Sequence, residues 1–229
     1  FNWKDKLVFK IKNIWDSFIS VNLIEKKINL FEISKQLEKS NIKEIEDIVC
    51  SNSSIGIEYD SDSTNYKTIK DKINNHLQSL KINSKKKKTK IWTIPICYDI
   101  EFALDIEKIS QSTDLSKSSI IKIHLNKIYR VNMIGFIPGF IYMKSLNDQL
   151  KISRKKNPRL KVPEGSIGIA DNMCGIYNIQ SPGGWNIIGR TPLSLFSIYN
   201  SPPIKIKPED EIQFKKINKK EFFKILHEK

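Results

Sequence analysis

Glycine and proline divide this chain in two, and no other feature restricts its fold as much. All nine prolines stand at or after Pro95, and eight of the nine glycines fall between Gly135 and Gly189, whereas the first 80 residues hold Gly56 alone. A segment without breakers can run in uninterrupted helices and strands, while one punctuated every few residues must keep turning back on itself. At the junction, residues 81–90 (KINSKKKKTK) carry six lysines and no acid, a run that favours solvation over burial. The sequence therefore predicts a small α/β N-terminal domain over 1–80, a Lys-rich linker over 81–90, and a second domain of short strands over 91–229.

Periodicity fills in the elements. Leu7, Phe9 and Ile11 alternate with Lys10 and Lys12, and Ser17 to Val21 continues as a second strand. Residues 24–39 place Ile24, Ile28, Phe31 and Leu37 near helical spacing. Lys43 to Val49 and Ser54 to Tyr59 read as two strands around a Ser/Asn turn, and Ile69, Ile73, Leu77 and Leu80 mark a helix over Tyr66 to Leu80. Two helices on one face of a mostly antiparallel sheet is the simplest packing. Beyond the linker come a strand from Ile91 to Tyr98 and helices over Asp105 to Ser112 and Ser116 to Asn126. Ser116 is a candidate N-cap, without a capping box because Ser119 stands where Glu would be. From Tyr129 onward, short strands between Gly and Pro suggest a barrel or sandwich. The fold class is α+β.

The longest apolar run, Met133 to Met143, has 11 residues and is broken by Gly135, Pro138 and Gly139, far short of the roughly 20 that cross a bilayer. No apolar stretch followed by small residues marks a leader at the start. Cys50, Cys97 and Cys174 are far apart, as are His76, His124 and His227, so neither a disulfide framework nor a metal site is expected. These features point to reduced thiols in a cytoplasm. The formal net charge of +14 invites a nucleic-acid reading, but 12 of those charges come from residues 81–90 and 151–161. The chain also uses 35 lysines against four arginines, and 40 isoleucines against five valines. Physics demands neither preference everywhere, so the charge is assigned to AT-rich mutational drift and nucleic acid is not expected as a partner. Arg130, Arg154, Arg159 and Arg190 gain interest by their scarcity, since a planar fork is not replaceable by lysine at an anion site.

Three segments could carry chemistry. Met133 to Tyr142 packs Gly135, Phe136, Pro138, Gly139 and Tyr142 together. It is either a buried strand turning through Pro138-Gly139 or a loop whose bare backbone N–H groups face an oxyanion. Ser181 to Pro192 offers a type II turn candidate at Pro182-Gly183, freedom at Gly184, a pocket wall in Trp185, and Arg190 as an anion clamp or a structural salt bridge. Arg154 to Gly168 is a cationic, proline-stiffened loop in which Arg154 and Arg159 suggest anion contact and a solvated charge run is the alternative. His124 closes a helix, whose C-terminal dipole would hold it cationic, either as a polar or acid/base group or as a partner of backbone. No GxxxxGK[ST], GxGxxG or GxSxG motif occurs.

In order, Ile94-Pro-Ile-Cys-Tyr98, Glu101-Phe102, His124 with Tyr129-Arg-Val131, Gly135-Phe-Ile-Pro-Gly-Phe-Ile-Tyr142, Val162-Pro-Glu-Gly-Ser-Ile-Gly168, Gly175-Ile-Tyr177, Ser181-Pro-Gly-Gly-Trp185 and Gly189-Arg-Thr-Pro192 resemble one family. It is the family of 5-oxoprolinase B subunits, also called KipI or allophanate hydrolase subunit 1. The resemblance covers residues 94–196, with a weaker pattern ending Ile57-Glu-Tyr-Asp60. Departures are Asp99-Ile100 for Gly-Gly, Ala103-Leu104 for Gly-Pro, and Cys50-Ser51-Asn52 for Pro-x-Tyr. The resemblance implies a cyclophilin-like β-barrel after the N-terminal domain. It also implies a part in ATP-dependent opening of 5-oxo-L-proline, a cyclic amide, to L-glutamate, with the A and C subunits of 5-oxoprolinase as partners and ATP bound by the assembled complex. Alternatives within the resemblance are an inhibitor of a sensor histidine kinase and the carboxyltransferase part of a urea carboxylase or allophanate hydrolase system. The implied site groups are His124, Arg159 and Arg190 as catalytic residues. Gly135, Phe136, Pro138, Gly139, Tyr142, Arg154, Ser166, Tyr177, Ser181, Gly183, Gly184 and Trp185 would bind substrate or anion.

Overall fold

Alternation of buried side chains with half-buried or exposed ones over residues 18–21 and 54–59 builds the centre of the first sheet. The computed structural model describes residues 9–24, 30–51, 53–80 and 89–228, so most of the lysine run lies outside the described residues. The chain divides into two units, Phe1–Lys86 and Lys87–Lys229. In the first, strands β1 (Phe9–Trp15), β2 (Phe18–Leu23), β3 (Ile45–Cys50) and β4 (Ser54–Tyr59) form an antiparallel sheet in the order β1-β2-β4-β3. Ile19 and Val21 of β2 face Ile57 and Ile55 of β4, and with Tyr59 they present one apolar face. Helices α1 (Leu30–Glu38) and α2 (Tyr66–Ser79) bury Ile33, Leu37, Ile69, Ile73 and Leu77 in the same core. The Asn65 side chain starts α2 by accepting from the Thr68 N–H. The helix expected over 24–39 is described from Leu30; residues 25–29 lie outside the described residues.

The second unit contains β5 (Ile91–Cys97), α3 (Ile106–Thr113), α4 (Lys117–Leu125), β6 (Ile128–Ile134), β7 (Ile141–Lys144), β8 (Arg159–Val162), β9 (Ser166–Ala170), β10 (Met173–Ile176), β11 (Ser181–Gly183), β12 (Asn186–Arg190), β13 (Glu211–Ile217) and α5 (Lys219–His227). Seven of these strands close a barrel in the order β10-β7-β6-β13-β5-β12-β9, with β9 pairing back to β10. Closure removes the open edges that a flat sheet would expose. The pairing is antiparallel except between β5 and β13, which run parallel from Ile91 opposite Glu211 to Cys97 opposite Ile217. Ile94, Ile96, Val131, Ile141, Met143, Ile167, Ile169, Ile188 and Ile212 fill the core, and α3 and α4 bury Ile109 and Ile120 against it. Ser116 caps α4 by accepting from the Ser119 N–H.

Two local features differ from the sequence expectation. Pro182-Gly183 is not a type II turn but part of β11, which pairs with β8 as a separate two-stranded ribbon, Ser181 opposite Val162 and Gly183 opposite Arg159. Positive φ falls instead on Gly139 and Gly165. Helix α5 is an addition to the expected elements. A capping box formed by Asn218 and Glu221 opens it, and Phe222 anchors it by stacking on Phe102 with ring centroids 4.3 Å apart.

Candidate functional site

A smaller core of the second unit is an aromatic cluster, in which Phe140, Tyr177 and Trp185 are buried and Tyr142 is half-buried. The Phe140 ring lies 4.5 Å from Tyr142, 4.8 Å from Tyr177 and 5.5 Å from Trp185, centroid to centroid, and Tyr142 lies 5.7 Å from Trp185. Val162, Ala170 and Ile187 back it. Two glycines make this packing possible. Gly183 has no Cβ where the Tyr177 hydroxyl sits, and Gly139, at φ +75°, turns the chain beneath the Phe196 ring. The Asn178 amide donates to the Gly139 carbonyl, tying the 135–140 loop to the segment after β10. On that loop Phe136 is 71% exposed at φ +72°, Pro138 is exposed, and the Gly135 N–H donates to the Phe140 carbonyl at 3.1 Å.

The cationic loop is strapped across this cluster. The Lys155 N–H donates to the Gly184 carbonyl at 2.7 Å, and the Asn186 amide donates to the Ser153 carbonyl at 2.9 Å. Arg154, between these two fixed points, carries its guanidinium 5.7 Å from the Trp185 ring centre. Arg159 and Lys155 do not face an open site. Both reach Asp105, which is 4% exposed: Arg159 donates two bonds at 2.6 and 2.8 Å and Lys155 one at 2.8 Å. The Ile187 N–H adds a fourth at 2.7 Å. Burial alone would raise the Asp105 pKa, but the bonds from Arg159, Lys155 and Ile187 outweigh it and hold the carboxyl below its ordinary value. Asp105 is not among the residues that the sequence singles out. Its partners are 50 and 54 residues away, and only its place at the start of a helix is visible in the sequence. Burial raises Tyr142 and lifts Tyr177 to about 12, while the nearby Arg154 pulls both down.

The structure does not bring every expected residue to this face. Arg190 stands at the far end of β12 from Trp185, roughly 15 Å away at strand rise, so the two do not line one pocket. Its Nε donates to the Glu164 carbonyl at 2.6 Å and its guanidinium lies 5.8 Å from the Phe222 ring centre. Arg130 pairs with Glu209, Arg154 with Asp171 and Arg159 with Asp105. Among the described residues Arg190 alone of the four arginines has no carboxylate in salt-bridge range; burial lowers its pKa, and the charge of the Glu164 carboxylate partly opposes that. Ser166, fully buried, is paired opposite it. His124 is sealed in the barrel core, stacked on Phe214 and bonded through Nδ1 to the Tyr98 hydroxyl at 2.7 Å and through Nε2 to Cys174 Sγ at 3.5 Å. Desolvation lowers its pKa to about 3, overriding the helix dipole that would have kept it cationic. Ser181 Oγ and the side-chain oxygens of Asn178 and Asn186 are buried with no hydrogen-bond partner among the described residues, which costs about 1–3 kcal/mol each. Among the described residues no cluster of His, Cys, Asp and Glu could hold a metal ion, and no helix is long and apolar enough to cross a membrane.

Residues 10–206 match the family described as carboxyltransferase domain, subdomain C and D. The chain is 40% identical over 133 residues to the B subunit of 5-oxoprolinase from Bacillus subtilis, a match covering 58% of this chain and 55% of that protein. It is 39% identical over 121 residues to the protein of the same name from Escherichia coli O157:H7, covering 53% and 56%. The chain thus spans about half the length of the curated relatives it matches. Among solved structures, a conserved uncharacterized protein of Pyrococcus horikoshii is 34% identical at a TM-score of 0.57, covering 93% of this chain and all of that one. The Kluyveromyces lactis urea carboxylase shares the fold at a TM-score of 0.78 and 17% identity, covering 96% of this chain and 23% of that one.

Proposed function

This chain belongs to the carboxyltransferase domain, subdomain C and D, family, and from that premise we propose that it serves as the B-type subunit of an ATP-dependent 5-oxoprolinase. The shared name of its curated relatives at 37–40% identity carries this reading. The reaction opens 5-oxo-L-proline to L-glutamate with the A and C subunits as partners. The half-buried Tyr142 at the edge of this cluster and the exposed Arg154 support such a substrate, an apolar ring beside a guanidinium that can accept its carboxylate. Arg190, half-buried and with no carboxylate in salt-bridge range among the described residues, is the second anion-binding group, at the other end of β12.

This chain carries no GxxxxGK[ST] phosphate loop, and of the helix N-termini that could receive a phosphate, those of α2, α4 and α5 are capped by Asn65, Ser116 and Asn218 while α3 begins at the carboxylate of Asp105. Nucleotide binding is therefore assigned to one of the partners, and the role of this chain is to bind and orient the lactam and keep water from it.

The test is reconstitution. Glutamate formation and ATP hydrolysis are measured for the chain alone, with the C subunit, and with the A and C subunits together. Activity is expected only in the full mixture; ATP-dependent turnover by the single chain, or none in the full mixture, overturns the proposal.

A further inference from the structure

We infer that two uncharged loops of the second unit, 135–140 and 197–203, form one docking surface for a partner subunit, with Phe136, Ile198 and Tyr199 as its anchors. The identity of the partner rests on the function proposed above; the surface stands on geometry and composition.

The two loops meet at their bases. Gly139, at φ +75°, has no Cβ where the Phe196 ring lies, so the first loop packs directly on the residue that bridges to Ile204 and opens the second. Each loop is braced from within. The Gly135 N–H donates to the Phe140 carbonyl and the Phe140 N–H to the Ile137 carbonyl, both at 3.1 Å. The Ser197 N–H donates to the Pro203 carbonyl at 2.9 Å and the Asn200 N–H to the Ser197 carbonyl at 3.2 Å. Loops already braced lose little freedom on docking. From this shared base the tips carry Phe136, Ile198 and Tyr199 outward, 71%, 70% and 92% exposed.

Phe136 is costly where it stands. Its φ of +72° disfavours a bulky side chain, and glycine would hold the same turn with less strain. Its ring contact within the chain is an edge-to-face approach to Phe140 at 6.1 Å. An aromatic kept both strained and exposed serves something outside the chain.

Charge points the same way. Residues 131–143 and 191–204 hold no Asp, Glu, Lys or Arg, in a chain that is 28% charged and uses 35 lysines. Solvated surface in this chain gathers lysine, whereas the centre of a protein interface is depleted of charge and enriched in aromatic residues. A second copy is disfavoured, because it would set a net charge of +14 against another +14. A lipid surface is met by tips with Lys or Arg beside them, but Arg130 and Lys144, which bound the first segment, pair at the far end of β6 and β7 from its loop. The anchors also lie within residues 10–206, matched as subdomains C and D of a carboxyltransferase domain, so other parts of that domain exist for them to meet. The occupant is therefore the subunit that carries those parts, through an apolar patch in a neutral or acidic surround.

The test measures binding of the full-length chain to the purified A and C subunits, each alone and both together, by biolayer interferometry. Wild type is expected to bind one of them. Tyr199→Ser and Phe136→Asn, the latter chosen because Asn tolerates positive φ, should each weaken that binding roughly tenfold or more without lowering the melting temperature. Sedimentation of the chain alone and flotation with phosphatidylserine-containing vesicles examine the other occupants. Self-association or vesicle binding that these substitutions abolish overturns the assignment, as does wild-type affinity in both variants. Variants that assemble and turn over normally remove the surface and leave the activity. Assembly that depends on the tips, in a wild-type mixture that forms no glutamate, removes the activity and leaves the surface. Wild type that binds neither subunit overturns both.

Discussion

Asp105→Asn tests whether the ion cluster organises the second unit. The substitution keeps size and shape but removes the charge and turns one acceptor into a donor facing the Arg159 fork. Four hydrogen bonds converge on the carboxylate, between 2.6 and 2.8 Å. Removing one member of a buried pair typically costs 3–5 kcal/mol. Here the carboxylate is buried, but the Lys155 and Arg159 side chains retain 19% and 25% exposure and can partly rehydrate, so about 2–4 kcal/mol is expected. At roughly 3 °C per kcal/mol for a unit of this size, the melting temperature should fall by about 6–12 °C. The pH dependence has a definite sign. Asp105 is depressed below its ordinary 3.8 in the folded state, so its contribution is complete above that value and is lost as pH falls through the lower, folded one. The gap between wild type and variant should therefore be constant from pH 8 to 5 and close in stronger acid. Denaturant melts of both proteins across that range measure it. A difference below ~1 kcal/mol at neutral pH, or one that widens in acid, would refute the reasoning.

Other substitutions probe separate parts of the unit. The fully buried His124 titrates near 3 against an ordinary 6.5, so the unfolded chain takes up the proton first. Wild type should lose about 1–2 kcal/mol between pH 6.5 and 5, a loss that denaturant melts should find missing in His124→Gln. Arg190→Lys keeps the charge but not the fork, and should slow the reconstituted enzyme roughly 10–150-fold with a near-normal melting temperature; a destabilised but fully active variant would make Arg190 structural. Gly183→Ala would push a methyl into the Tyr177 hydroxyl and should destabilise by about 1–3 kcal/mol, read as an earlier unfolding midpoint.

The fold is legible in the sequence where local pattern decides it. The i, i+4, i+8 apolar positions of α2 and the alternation in β4 mark those elements to within a residue, because a helix or strand needs one buried face and the sequence spells it out. The capping box Asn218-x-x-Glu221 is equally local, but the helix it opens is nine residues long and buries Phe222 alone, too narrow an apolar face to stand out. Non-local features are not legible. Pro182-Gly183 looks like a turn in isolation, and only the ribbon partner 20 or so residues upstream makes it a strand. His124 looks like a charged helix end, but the Phe214 ring that stacks on it and the Cys174 thiol that meets it come from β13 and β10, far along the chain. The scarce arginines stand out as a class. Their division into one bound by a buried carboxylate, one paired with Glu209, one lying near an indole and one without a carboxylate in salt-bridge range depends on chain crossings that spacing does not encode.

The Asp105 cluster also bears on how the barrel closes. Strand β12 is paired along β9, but on its other side it meets β5 only at Arg190, opposite Cys97. In mid-strand the Asp105 N–H donates to the Ile187 carbonyl at 2.8 Å, and the Ile187 N–H returns to the Asp105 carboxylate at 2.7 Å. One residue at the start of α3 thus satisfies both backbone groups that a neighbouring strand would otherwise satisfy, in a place where an unpaired buried amide would be expensive. The same carboxylate holds Lys155 and Arg159, and through them the loop that sets Arg154 on Trp185. Barrel closure and the shape of the candidate site are therefore coupled through a single side chain. A substitution at Asp105 should disturb both together, whereas one at Arg154, which touches neither Ile187 nor Asp105 in any described bond, should alter binding and leave the barrel closed.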